Sequence, residues 1–281
     1  MAGLSPAAHA WPLDSLRERL AALQPGLRVD VVAECDSSNT RLLARARAGE
    51  LAPCLLVAER QTAGRGRLGR RWWSETGGDA PGSLCFSLGL TLAPQRWEGL
   101  SLAVGVALAD ALHPSLRLKW PNDLWLCADG IDRKLGGVLI ETQSLNTGIA
   151  RQVVVGVGLN LRTPPAGVVG GSGAAIAPVG LEDLDPALDA PTVLDRVAPP
   201  LLAALQRFER EGFDDALRHR YLARDALLGR ELLALAADGR PLHRGRGAGV
   251  DERGALLIDP GASAPLLSLL SADISVRPLS L

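Results

Sequence analysis

The sequence predicts an α+β fold, and three observations predict it. Strand-like and helix-like stretches follow one another without the regular alternation of a doubly wound sheet. After Leu228 the texture changes to short runs separated by turn residues, as in a small β-barrel domain of about 55 residues. The chain has 281 residues, 47% hydrophobic and 22% charged. That suits an ordinary folded protein with one large domain and a smaller appendage.

Each element has a local reason. Leu13, Leu16, Leu20 and Leu23 recur at helical spacing and predict a short amphipathic helix over 11–24. Val29–Ala33 is a short β-branched run, broken by Asp36-Ser37-Ser38-Asn39. Any of those four can cap the helix that follows, with Leu42, Leu43 and Ala46 on its inner face. Cys54–Ala58 reads as a buried strand, and Leu84–Leu92 as another entered from the glycine-rich stretch Thr76–Ser83. Leu100 to Leu112 is helical, with Leu100, Val104, Ala107, Leu108 and Ala111 in one stripe. Leu116–Trp120 and Leu124–Cys127 are strands either side of Pro121-Asn122-Asp123. Lys134–Thr142 and Gln152–Leu159 form a hairpin pair around Asn146–Gly148. Thr163–Leu181 carries no charge and is dominated by Gly and Pro, so it predicts a loop. A helix over Thr192–Glu211 precedes the short runs Glu231–Ala236, Leu242–Val250, Ala255–Asp259, Pro265–Leu269 and Ile274–Val276.

Composition narrows the function. Formal net charge is -1, so no global basic field draws the chain to nucleic acid. Cys35, Cys54, Cys85 and Cys127 are well separated and form no CxxC pair, which supports neither zinc nor a disulfide framework. Buried thiols are expected. Residues 1–12 lack a basic start and a continuous apolar core, and no stretch reaches the ~18 apolar residues of a membrane helix. A soluble, cytoplasmic protein is the expectation.

The chemistry is concentrated in a few segments. In Ala58-Glu59-Arg60-Gln61-Thr62-Ala63-Gly64-Arg65-Gly66-Arg67-Leu68-Gly69-Arg70-Arg71-Trp72-Trp73-Ser74, glycines interleave with arginines and the run closes on two tryptophans. Glycines admit close backbone approach, arginines fork onto phosphate or carboxylate, and an indole can cover a base or an apolar ring. Such a loop suits a small anionic ligand carrying a nucleotide; a patch for nucleic-acid backbone is the competing reading. Asp36-Ser37-Ser38-Asn39 offers short polar groups to a neutral polar head, beyond ordinary capping. In Lys119-Trp120-Pro121-Asn122-Asp123, a lysine and a carboxylate flank a sharp turn and could bind phosphate and a divalent metal. Asp132-Arg133-Lys134-Leu135-Gly136-Gly137-Val138-Leu139-Ile140-Glu141 sets a lysine at the start of a buried strand before two glycines, where a backbone approaches something closely. Gly156-Val157-Gly158-Leu159-Asn160 alone reads as close strand packing.

In this order and at these spacings, the segments resemble the biotin protein ligase family, enzymes that biotinylate carrier domains of carboxylases. The resemblance covers residues 30–160 strongly and continues weakly into the terminal β-domain. It implies a class II synthetase-like catalytic domain over 1–226 and a small SH3-like β-domain over 227–281. It implies biotin and ATP as substrates, Mg²⁺, and a biotin carboxyl carrier domain as partner. Ser37, Ser38 and Asn39 would hold the ureido ring of biotin, with Gln61 lining the same pocket. Gly64, Arg65, Gly66 and Arg67 would belong to a loop that orders over the ligand, the arginines facing carboxylate and phosphate. Trp72 would cover the adenine, and Trp73 would pack. Lys134 would neutralise the biotin carboxylate and the α-phosphate, beside Gly137. Asn122 and Asp123 would stand near the triphosphate, with Asp123 on the metal. Asn160 and Arg277 would contact the nucleotide.

Some members carry an N-terminal DNA-binding module. Only 28 residues precede Val29, too few for one, so a monofunctional enzyme without DNA binding is expected. A homodimer through sheet edges is compatible with the resemblance. Glu75–Ser83 is longer than the family's usual link. The nearest alternative enzyme is a lipoate–protein ligase, and the alternative from another class is a nucleic-acid-binding regulator.

Overall fold

A computed structural model describes residues 10–74, 81–145, 148–165, 176–261, 264–270 and 274–279. Helix α1 (Asp14–Leu23) leads into β1 (Arg28–Cys35), α2 (Ser38–Arg47), β2 (Cys54–Gln61), β3 (Ser83–Leu92) and α3 (Leu100–Leu112). Then come β4 (Leu116–Lys119), β5 (Asp123–Ala128), β6 (Ile131–Ser144), β7 (Arg151–Asn160) and β8 (Ala177–Pro178). Helices α4 (Ala190–Glu211) and α5 (Asp215–Leu222) precede β9 (Glu231–Ala236), β10 (Pro241–Val250), β11 (Leu256–Asp259), β12 (Leu267–Leu269) and β13 (Ile274–Pro278).

The first eight strands build one mixed sheet in the order β1-β2-β3-β7-β6-β5-β4, with β8 beside β6. Strands β1 and β2 are parallel because α2 crosses between them. Strands β6 and β8 are also parallel, and the remaining pairs are antiparallel. This is the α+β arrangement that the irregular alternation predicts.

The two faces of the sheet differ in kind, and the period-2 rule of a strand makes them so. Along β7, Val153, Val155, Val157 and Leu159 enter the main core; along β3, Leu84, Phe86, Leu88, Leu90 and Leu92 do the same. Helices α1, α3 and α4 stack on one another, and residues of all three share that core. The alternate positions are Ser83, Cys85, Ser87 and Gly89 on β3, and Val154, Gly156, Gly158 and Asn160 on β7. This second face is small and polar. Only α2 covers it with an apolar cluster, Leu42 and Leu43 against Leu56, Ala58 and Val154. A bulge at Leu135 shifts the β5–β6 register, so Leu124 pairs Gly136 while Trp125 pairs Lys134. It sends Leu135 into the core and brings the Lys134 ammonium within 3.7 Å of where a Cβ on Gly137 would sit.

The last five strands form a separate antiparallel sheet, β12-β11-β10-β9-β13, with bounds close to those predicted. It is fastened to the large sheet and to α5 at named points. Trp120 Nε1 donates to Gly254 O at 3.1 Å, Arg218 Nε to Val250 O at 2.9 Å, and Arg230 pairs with Asp132 at 2.7 Å.

Helix α5 and the two-residue β8 are additions to the elements that the sequence predicts. Only Leu217 and Tyr221 of α5 are buried, so its apolar signal is thin; Asp214 caps it, accepting from Leu217 N at 2.7 Å. Helix α4 starts two residues earlier than predicted, capped by Asp189. The hairpin between β6 and β7 is present, but its turn residues 146–147 lie outside the described residues, as do 75–80 and 166–175 of the two long stretches. The four cysteines are free thiols, three buried and Cys127 half-buried. Burial pushes Cys35 and Cys127 up to about 12 and Cys54 up to about 11, so none of these three is a thiolate at neutral pH. No helix among the described residues is long and apolar enough to cross a membrane.

Candidate active site on the polar face of the sheet

The site begins where β1 hands over to α2. Ser37 is the N-cap, its side chain accepting from Thr40 N. That places Ser38 and Asn39 in the first turn, buried against the polar face. Gln61 Oε1 accepts from Ser38 N at 2.8 Å and Ser38 Oγ at 3.1 Å. Ser87 Oγ lies 2.7 Å from Ser38 Oγ and 2.6 Å from Asn39 Oδ1. Asn39 Nδ2 donates to Leu139 O at 3.1 Å and to Glu141 Oε2 at 2.9 Å. A Cβ on Gly156 would overlap Asn39 Oδ1, so the bare glycine is what lets this amide lie against β7.

The glycine–arginine run is a folded-back loop. Trp72 N donates to Gly64 O at 2.9 Å, Arg65 and Arg71 form a bridge, and Gly66 N donates to Arg70 O at 2.7 Å. Gly64 is required by that closeness, since a Cβ there would stand 2.7 Å from Trp72 O. At the tip Leu68 takes φ 55 and stays partly exposed, a strained conformation for a side chain of its size. Two arginines tie the loop to the sheet. Arg65 pairs with Glu141 Oε1 at 3.1 Å, and Arg67 donates to Asn122 Oδ1 at 3.3 Å. Asn122 is in turn held on β6 by Val138, through one bond of 2.9 Å in each direction.

The charged end is built around one carboxylate. Lys134 Nζ lies 2.7 Å from Asp123 Oδ1. Lys119, directly opposite Asp123 in the β4–β5 pairing, is also buried. Burial pushes the Lys119 ammonium down to about 8; Asp123 opposes that, while Lys134, Arg67 and Arg70 reinforce it. Burial works to raise Asp123, but Lys134 and Lys119 outweigh it and hold the carboxyl below its ordinary range. Lys134, Lys119 and Arg70 all act on Asp123, and Arg67 acts on Lys119, a gathering of cations in a half-buried recess that suits a polyanion.

The model of the biotin/lipoate A/B protein ligase family matches residues 32–160. The bifunctional ligase/repressor BirA of Escherichia coli is 35% identical over 83% of this chain and 70% of its own length. The biotin–[acetyl-CoA-carboxylase] ligase of Mycobacterium tuberculosis is 33% identical over 92% of this chain and 94% of its own. The chain belongs to the biotin protein ligase family. Among solved structures, the Aquifex aeolicus biotin protein ligase in complex with biotin and ATP superposes with a TM-score of 0.70. It is 27% identical and covers 90% of this chain and 99% of its own.

Most residues expected to serve a biotin protein ligase converge on the polar face. Ser37, Ser38, Asn39 and Gln61 stand together where α2 starts and β2 ends; Arg67, Asn122, Asp123 and Lys134 gather around the β4–β5 turn, and Arg65 reaches Glu141 between the two groups. Gly137 lies at their centre, where a Cβ would meet Asp123 Oδ1 at 3.3 Å. Asn160 Nδ2 donates to Lys134 O at 3.3 Å and Val179 O at 3.1 Å, so that amide group holds β8 against β6. Both Asn39 amide hydrogens are likewise committed to protein acceptors. Arg277 stands apart on edge strand β13 opposite Leu233, and no hydrogen bond or ion pair among the described residues joins it to the cluster.

Three site residues were not picked from the sequence. Ser87 is fully buried and sits on the polar-face parity of an otherwise apolar strand, which is the signal that could have found it. Glu141 closes an apolar run on the same parity as Leu139. Lys119 reads in sequence only as one flank of a turn; the burial of its ammonium comes from the fold.

Trp72 packs against the backbone of Gly158, where a Cβ would come within 2.5 Å of the indole Cε2, and its Nε1 is buried without a partner. Gly158→Ala is therefore expected to push the indole off β7. The ATP KM should rise about tenfold, the size of a lost aromatic contact plus strain, with the biotin Kd unchanged. Steady-state kinetics and calorimetry on that variant check both halves.

Among the described residues no group of three or more His, Cys, Asp or Glu converges to cage a metal. Asp123 alone suits an ion that arrives on phosphates, because Mg²⁺ bound with nucleotides takes one or two carboxylates and keeps its waters.

Proposed function

We propose that this ATP-dependent biotin ligase activates biotin as biotinyl-5′-AMP on the polar face of its large sheet, then transfers it to a lysine of a carboxylase biotin carrier domain. The observation that carries the reading is the Lys134–Asp123 pair, set among Lys119, Arg67 and Arg70 next to a head pocket of Ser37, Ser38 and Gln61.

The chemistry is an adenylyl transfer followed by an acyl transfer. A carboxylate oxygen of biotin attacks the α-phosphorus of ATP, the bond to the pyrophosphate oxygen breaks, and biotinyl-5′-AMP forms. The neutral ε-amine of the carrier lysine then attacks the acyl carbon, an amide forms and AMP departs. The first step brings two anions together, so fixed cations lower its barrier by charge stabilisation without reorganisation. Lys134 holds the carboxylate and the α-phosphate; Lys119, Arg67 and Arg70 take the pyrophosphate charge. Mg²⁺, held by Asp123 and near Asn122, supplies further screening of the triphosphate when bound. Ser37, Ser38, Asn39 and Gln61 match the donors and acceptors of a buried urea, with Ser87 bonded to both Ser38 and Asn39. Gly64, Arg65, Gly66, Arg67 and Trp72 exclude water from the mixed anhydride. Asn160 and Arg277 serve the nucleotide from the far side, Arg277 from an SH3-like unit over 227–281 that follows a class II synthetase-like unit over 1–226.

The test is biotin-dependent pyrophosphate–ATP exchange with Mg²⁺, with lipoate run in parallel. Exchange with biotin alone is expected; exchange with lipoate alone overturns the reading in favour of the sister activity. The depressed Lys119 adds a pH signature. Its charge is present below about 8 and lost above, where an ordinary lysine near 10.5 would keep it. Since kcat/KM reports the free enzyme, kcat/KM for ATP should fall above about pH 8 in wild type, and Lys119→Arg should move that limb upward.

A further inference from the structure

Glu141 has two carboxylate oxygens, and they go to different parts of the site. One accepts from Asn39, the buried amide of the head pocket; the other meets Arg65 of the glycine–arginine loop. On the pocket side, Asn39 is held by Ser87 and Leu139 and seated against the bare backbone of Gly156. On the loop side, the Arg65 side chain is half exposed, and its backbone belongs to a hairpin strained at Leu68. A buried pocket group and a half-exposed loop group sharing a single carboxylate is the connection that two coupled sites need.

We propose that Glu141 is the positioning residue that couples occupation of the head pocket to closure of the loop. The proposal rests on the reading of that pocket as the biotin site. Closing the loop costs conformational entropy, and the Arg65–Glu141 pair offsets part of it. The pair forms well only when the carboxylate is aimed, and Asn39 aims it. A ligand head that packs on Ser37 and Ser38 stiffens the first turn of α2 and with it the Asn39–Glu141 bond. By linkage the closed loop then tightens the ligand by the same factor.

Trypsin reads the loop directly, because Arg65, Arg67, Arg70 and Arg71 are all cleavage sites within it. In wild type, saturating biotin should slow cleavage of this segment. Glu141→Gln keeps an oxygen for Asn39 and removes the charge that meets Arg65. In that variant biotin should still bind by calorimetry, about tenfold more weakly, as expected for loss of one coupling between sites. Its loop should be cut equally fast with and without saturating biotin. Arg65→Met should weaken biotin to the same extent, and the double variant should be no worse than either single one. The biotin KM should rise in all three more than kcat falls. Undiminished protection in Glu141→Gln, or additive losses in the double variant, would overturn the proposal. Should Glu141→Gln fail to fold, the half-exposed Arg65→Met decides alone: persistent protection by biotin refutes the coupling. Wild type that binds no biotin would instead overturn the pocket reading itself.

Discussion

Lys134→Ala is expected to lower biotin-dependent pyrophosphate exchange by about 10²–10³, the size seen when a preorganised charge stabiliser is removed. The ammonium reaches Asp123 at 2.7 Å from a bulge that exists to turn it onto the polar face. Without it, Asp123 loses its nearest counter-charge and adds its own repulsion to the incoming anions. Lys134→Arg should recover little, because a planar fork does not replace a compact ammonium in a half-buried recess. Near-normal exchange in Lys134→Ala would remove the residue from the mechanism.

Gly156→Ala should be strongly damaging to the site although the residue touches no substrate. The new methyl group would occupy the space of the Asn39 amide, forcing it away from Ser87, Leu139 and Glu141. Overpacking of this kind costs about 1–3 kcal/mol. Leaving the buried hydroxyl and amide unmatched costs about as much again. The melting temperature should fall, and biotin affinity should fall further than the stability change explains. Calorimetric binding beside a thermal melt separates the two; an unchanged biotin Kd would mean that Asn39 does not shape the pocket.

Much of this was legible in the sequence because both faces of the sheet write themselves in alternation. Val153, Val155 and Val157 mark the core side of β7, and the glycines between them the side where something approaches. The fold class, the hairpin of β6 and β7 and the five late strands followed from such patterns; the site residues came from the resemblance. What was hidden depends on pairing across strands. Ser87 and Glu141 acquire their roles only because β3 and β6 both flank β7, which no local pattern states. Asn39 and Asn160 could be picked as polar groups of the site, but not that their amide hydrogens would be committed to neighbouring backbone and side-chain oxygens. Arg277 is picked through resemblance alone, and among the described residues no hydrogen bond or ion pair joins it to the cluster.

The fastenings of the five-stranded sheet have a mechanical consequence. Gly254 is hooked to Trp120, next in chain to Lys119, and Arg230 to Asp132, two residues before Lys134. The smaller sheet therefore acts as a buttress behind the two segments that deliver the lysines. Leu232, Val250, Leu256 and Ile258 of that sheet also share the main hydrophobic core, so anything that loosens the sheet loosens the packing behind both cations at once.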